Sequence, residues 1–189
     1  KSVGVRVRFG SGAFEEVRGH EIVLCAGAIH SPAILMRSGI GPKAELEALG
    51  IPVVHAHEGV GRNLLDHPIL RMTLNLKPEY RAKGADVRHT NSCVTYSSGL
   101  GGGGERDMIL IGYNHRGWPV PEDGASGAIG AALYDAFSRG ELRLVSADPE
   151  VDPVVEENML DHPADRLRMR DAVRRLAAIA AHPALPVHW

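Results

Sequence analysis

The side chains able to do chemistry gather between residues 20 and 68. An apolar run, His20–Ala26, ends in Ala26-Gly27-Ala28 and is followed at once by Ser31-Pro32. Small residues at a strand end leave the backbone open to close approach. Ser31 as N-cap and Pro32 at the first helical position start a helix whose free N–H groups and positive dipole end face the same place. On spacing alone, a ligand-proximal turn and a plain strand-to-helix turn stand level. Asn63, Asp66 and His67 follow the glycines Gly59 and Gly61 on a loop. Such side chains cap local backbone as Asx turns. His55 and His57 would share one face of a strand, which is geometrically allowed for a metal pair. No carboxylate or cysteine joins them at a recurring spacing, so they read as surface histidines and no metal site is expected.

Several familiar motifs are missing. No G-x-G-x-x-G links a strand to a helix, and there is no P-loop, G-x-S-x-G elbow, H-E-x-x-H or paired C-x-x-C. Gly99–Gly104 is a literal G-x-G-x-x-G, the glycine part of the dinucleotide pattern, but no helix pattern follows, and Glu105 and Asp107 would repel a phosphate. The run reads as a mobile hairpin tip.

Elements must position these residues. Val3–Phe9 alternates with period two as a half-buried strand, and Phe14–Arg18 pairs back on it. His20–Ala26 reads as a strand buried on both faces. Ala33–Arg37 is a helix leaving at Gly39, Lys43–Leu49 a second one closed by Gly50, and Ile51–Val54 a short strand. Residues 59–68 form a loop. From Ile69 the texture changes to strands at 69–76, 91–96, 107–113, 129–134 and 140–146, separated by turn-rich stretches such as Leu100–Glu105 and Trp118–Gly127. No helix pattern interrupts them, so one antiparallel sheet is expected over 69–160. In Asp165–Ala181 the apolar residues Met169, Ala172, Val173, Leu176, Ile179 and Ala180 share one helical face. Arg166, Arg168, Arg170, Arg174 and Arg175 read as its solvated side.

The 189 residues carry 21 Lys plus Arg against 23 Asp plus Glu, a net charge of −2. That balance argues against nucleic acid or an anionic membrane as main partner. The longest apolar run, Ile22–Ile29, is too short to span a bilayer. The two cysteines, Cys25 and Cys93, lie in apolar runs and read as buried, inert thiols. The chain opens at Lys1, directly into a strand, and is expected to be a piece of a longer polypeptide. Its localisation is open, with the cytoplasm favoured.

Gly27-Ala28-Ile29-His30-Ser31-Pro32, running through Leu35-Met36 and Ser38-Gly39-Ile40-Gly41-Pro42, resembles the signature G-A-x-x-S-P-x-x-L-M-x-S-G-I-G-P of the glucose–methanol–choline (GMC) oxidoreductases. Val60-Gly61-Arg62-Asn63-Leu64-Leu65-Asp66-His67-Pro68 resembles their V-G-x-N-L-x-D-H-P element. Downstream, Ser138-Arg139-Gly140-Glu141-Leu142-Arg143-Leu144 and then Asp148-Pro149 with Pro153 are similar to a second family segment.

The resemblance implies an α+β chain. Residues 1–68 would be part of a FAD-binding domain, an edge of its α/β fold. Residues 69–189 would be a substrate domain, an antiparallel sheet with flanking helices. It implies FAD as cofactor, a small-molecule alcohol as substrate and hydride transfer to the flavin. Ala26, Gly27, Ala28, Ser31, Pro32, Asn63, Asp66 and His67 would lie at the cofactor. A flavin-containing hydroxynitrile lyase is the alternative, and a non-catalytic truncated domain another. The family's fingerprint lies upstream of its signature and its catalytic His region downstream of the final helix. Neither matches here, so no catalytic residue is expected in this chain, and His182 and His188 are not promoted to that role. The chain alone is expected not to retain FAD, and its partners would be the missing parts of the same polypeptide.

Overall fold

The computed structural model describes residues 2–10, 12–84, 87–115, 125–185 and 187–188. Most of the expected turn at 118–127 therefore lies outside the described residues. The chain divides into two compact units, one of Lys1–Gly61 with Leu142–Val155 and one of Arg62–Glu141 with Glu156–Trp189.

In the first unit, β1 (Gly4–Arg8) and β2 (Phe14–Arg18) form the expected antiparallel hairpin. It is largely exposed rather than half-buried, with Val5 at 45% and Phe14 at 46%. The run His20–Ala26 is not a strand, and Val23 is 75% exposed. A segment apolar on both faces needs hydrogen-bonded neighbours on both edges, and no described strand pairs with it. The first helix, α1 (Gly27–Arg37), begins a full turn earlier than Pro32. Ala26 is its N-cap, and Ser31 is an interior residue whose Oγ accepts the Ala26 N–H at 3.0 Å. That bond reinforces the first turn, where Pro32 has no N–H to give.

Then come β3 (Ile40–Gly41), α2 (Lys43–Ala48) and β4 (His55–Ala56). The strand expected at 51–54 is displaced, because Ile40 and Gly41 take His55 and Ala56 as parallel partners. Ile51 instead joins the core with Ala33, Met36, Leu46, Leu142 and Leu144.

The second unit holds β5 (Arg62–Leu64), inside the stretch expected to be loop. Its Leu64 and Arg62 pair with Gly140 and Glu141 of β10 (Gly140–Arg143). A larger antiparallel sheet contains β6 (Ile69–Leu76), β7 (Thr90–Tyr96), β8 (Met108–Tyr113), β9 (Ser126–Leu133) and β12 (Val187–His188) in the order β12-β6-β9-β8-β7. The strand after residue 139 does not join it: β10 lies between β5 and β11 (Val154–Glu156) in a separate three-stranded sheet. The single sheet expected over 69–160 is thus two. The final helix, α3 (Pro163–Ala180), lays Met169, Ala172 and Leu176 on Met108, Ala131 and Leu133. Val173 and Ile179, expected inside, are 38% and 36% exposed. Cys25 and Cys93 are both exposed free thiols, not buried ones.

Candidate functional site

The expected site residues fall into two groups, one in each unit. In the first, the chain enters α1 through Ala26, Gly27 and Ala28, all exposed, with Ser31 and Pro32 partly buried one turn on. Gly27 has φ +83°, in the left-handed region that disfavours any side chain. A Cβ at Gly27 would meet nothing within 4 Å. The first turn of α1 carries no acidic residue. This helix start combines open N–H groups, a positive dipole end and no repelling charge, which suits an anionic or planar group.

The second group surrounds β5. Asn63 is exposed at φ 58°, a conformation that asparagine tolerates. Asp66 Oδ1 accepts the His67 N–H at 2.7 Å, a local capping bond. The His67 ring stacks on Tyr134 with centroids 4.2 Å apart and planes at 26°. Pro68 is buried, and its carbonyl accepts the Leu133 N–H at 3.1 Å, tying the element to the end of β9. His55 and His57 lie 6.2 Å apart on exposed backbone. Among the described residues, no cluster of three His, Cys, Asp or Glu could hold a metal ion.

The densest polar cluster was not anticipated. Arg168, expected in solvent, is fully buried. Its Nη1 donates to Asp107 Oδ2 at 3.2 Å and to the Asp135 carbonyl at 2.9 Å, and its Nη2 donates to Asp165 Oδ1 at 2.6 Å. The guanidinium also lies 4.5 Å from the Phe137 ring centroid. Asp165 accepts the Ser138 N–H and hydroxyl at 2.7 and 2.5 Å, and Asp107 accepts those of Ser98 at 2.7 and 2.6 Å. Burial opposes ionisation of both aspartates. Hydrogen bonds from Ser98 and Arg168 to Asp107, and from Ser138, Phe137 and Arg168 to Asp165, outweigh it and hold both carboxyls below the usual carboxylate range. The glycine run at 101–104 is packed against this cluster rather than free. A Cβ on Gly103 would come 2.2 Å from Asp107 Oδ2, and one on Gly101 would come 2.9 Å from the Ala164 Cβ. The cluster ties α3, the 97–107 turn and Ser138 together, which gives Ser138 of the downstream segment a structural reason. A signal was present: Asp165 and Arg168 fall on the same helical stripe as Met169, Ala172 and Leu176.

The two units together make a mixed α+β chain. Residues 1–69 match the N-terminal part of the GMC oxidoreductase family and residues 136–188 its C-terminal part. The chain belongs to the GMC oxidoreductase family. It is 38% identical over 176 residues to a 5-(hydroxymethyl)furfural oxidase from Methylovorus sp. strain MP688, covering 90% of this chain and 32% of that protein. It is 34% identical over 192 residues to an oxygen-dependent choline dehydrogenase from Ectopseudomonas mendocina, covering 87% and 33%. Among solved structures, pyridoxine 4-oxidase from Mesorbium loti superposes with a TM-score of 0.82 at 26% identity, covering 96% of this chain and 36% of that one. The chain therefore spans about a third of the length of the relatives it matches. Among the described residues, no helix is long and apolar enough to cross a membrane.

Proposed function

We propose that the whole protein is a FAD-dependent oxidoreductase acting on the CH–OH group of a small alcohol. The observation that carries this reading is the α1 entrance: an exposed Gly27 at φ +83° with no atom in reach of its Cβ, at the start of the family signature. Ala26, Gly27 and Ala28 would let the cofactor approach the backbone, and Ser31 would hold the turn through its bond to the Ala26 N–H. Asn63, Asp66 and His67 would also lie at the cofactor, with the Asp66–His67 capping bond fixing the backbone there. FAD, when bound, would accept the two electrons leaving the substrate carbon. Residues 1–68 would form part of the cofactor domain, and residues 69–160 the substrate-side wall. No residue of this chain is assigned as the base that takes the hydroxyl proton.

The reading is tested on the whole protein by its absorbance spectrum. A flavin spectrum bleached anaerobically by a primary alcohol is expected. A flavin spectrum that no alcohol bleaches, with aldehyde and cyanide released from a hydroxynitrile, would point to lyase chemistry instead. We further propose that the 189-residue chain alone does not retain FAD, because its one G-x-G-x-x-G run, Gly99–Gly104, leads into a strand and not into the helix whose start would hold a pyrophosphate. Stoichiometric yellow flavin in the purified chain would overturn that.

A further inference from the structure

The large sheet of the second unit has one apolar face and a second that is apolar at one end, with Thr73, Asn75 and Ser126 at the other. One packs under α3 through Met108, Ala131 and Leu133. By strand register, the opposite face carries Ile69, Ala132 and Ile109 in one row, and Arg71, Gly130 and Ile111 in the next. An antiparallel sheet that turns its second face to water alternates polar residues there. This one instead presents isoleucines flanking a strand of Ala128, Gly130 and Ala132. Along β6, β8 and β9 this face carries a single formal charge, Arg71.

Arg71 is held in a specific way. Its guanidinium lies 4.9 Å from the centroid of the Tyr113 ring, a cation–π pair reaching across β9. Gly130 sits beneath the pair: a Cβ there would come 3.0 Å from Tyr113 Cε2 and 3.5 Å from Arg71 Cγ. The pair can close because that position has no side chain. The stacked face of the guanidinium is satisfied by the ring, while its N–H edge, five donors in a planar fork, has no hydrogen-bond partner among the described residues and can meet an anion.

We propose that Arg71, oriented by Tyr113 over Gly130, selects alcohols that carry an anionic group, a carboxylate being the simplest, and disfavours cationic ones. The inference rests on the reading of residues 69–160 as the substrate-side wall. On an apolar wall one fixed guanidinium gains a charge-assisted bond with an anionic substrate and meets a cationic one with like charge.

The test uses the whole flavoprotein and three probes: benzyl alcohol, 4-(hydroxymethyl)benzoate and choline. The wild type is expected to prefer 4-(hydroxymethyl)benzoate over benzyl alcohol in kcat/KM and to oxidise choline poorly. In Arg71→Gln that preference should fall roughly tenfold to a hundredfold, mostly through KM, and choline should improve relative to benzyl alcohol. Arg71→Lys should restore part of the preference, because it keeps the charge and loses the fork. Gly130→Ala, which crowds the pair, should weaken the preference with Arg71 still present. Arg174→Gln, an exposed charge on α3, controls for net charge and should keep the ratio. A wild type indifferent to the carboxylate, or an Arg71→Gln ratio equal to that of wild type, overturns the inference while leaving alcohol oxidation intact. Failure of all three alcohols to bleach the flavin overturns the oxidoreductase reading itself, and this inference with it.

Discussion

The two long helices of this chain begin in opposite ways. At α1 the N-cap is an alanine, the first turn has no acid, and the residues leading in are exposed. At α3 the His162 side chain accepts the Ala164 N–H at 3.2 Å, Pro163 occupies the first turn, and Asp165 is buried against Arg168. Both starts offer the same unpaired N–H groups and the same positive dipole end. The chain closes one with its own groups and leaves the other open. In α3 the helix-start chemistry is spent on the fold, and in α1 it stays available to something outside the described residues.

Breaking the closed end should have the largest effect. Arg168→Ala would strand Asp107 and Asp165 in the interior without their cation. Loss of one partner from a buried ion pair costs about 3–5 kcal/mol. Denaturant melts of the variant should show a drop of that size, with Arg174→Ala close to wild type. Equal stability of the two variants would show that the triad contributes nothing to the closed end.

Next comes the packing that the closed end directs. Leu176 is 2% exposed, on the face that meets Met108 and Leu133. Leu176→Ala should cost about 2–5 kcal/mol by the same measurement. Val173→Ala, on a residue 38% exposed, should cost well under half as much. A reversed order would mean that the helix face is drawn wrongly.

How much of this was legible depended on where the partners lie. The hairpin at 4–18, β6 at 69–76 and the span of α3 could be read because period two and period 3.6 are local signals. His20–Ala26 misled because its pattern reports neighbours on both edges, which a local pattern cannot supply. Ser31-Pro32 looked like a helix start since both residues favour that position, but the hydroxyl serves equally well from inside, reaching back to Ala26. Arg168 was misplaced by type rather than by position. Its place on the buried stripe was visible, but its two carboxylate partners sit 61 residues upstream and three residues upstream, and only the nearer belongs to the same helix. Of the site, the glycine turn could be read from spacing, whereas the Arg71–Tyr113 pair depends on strand register and could not.

The acid response should also separate the two ends. The folded state holds Asp107 and Asp165 below their ordinary values, so the unfolded chain takes up protons first as pH falls. Their stabilisation is complete above the unfolded carboxylate range of about pH 4 and is lost as pH falls through the lower folded values. Stability measured from pH 6 down to pH 3 should therefore decline. The decline should be shallower in a variant carrying both Asp107→Asn and Asp165→Asn, which has no carboxylates there to titrate. Parallel curves for wild type and the double variant would assign the acid sensitivity to other groups.

The smallest stability effect is expected at the open end, and it sharpens the comparison most. Gly27→Ala puts a Cβ where no atom lies within 4 Å, so crowding contributes nothing inside the described residues. What remains is the cost of φ +83° for a residue with a side chain, about 1 kcal/mol. In the whole protein the melting temperature should drop by only a few degrees. If the open helix start exists for the flavin, bound FAD per folded protein should fall far more than that small loss of stability explains, since the new methyl would stand in the approach to the backbone. Ser31→Ala makes the complementary change. It removes the acceptor for the Ala26 N–H without adding bulk, and should cost about as much stability with a smaller loss of flavin. If the two variants lose flavin equally, the site depends on the rigidity of the turn. If Gly27→Ala keeps full flavin, the glycine answers only to its backbone angle, and the contrast between the two helix starts carries no functional meaning.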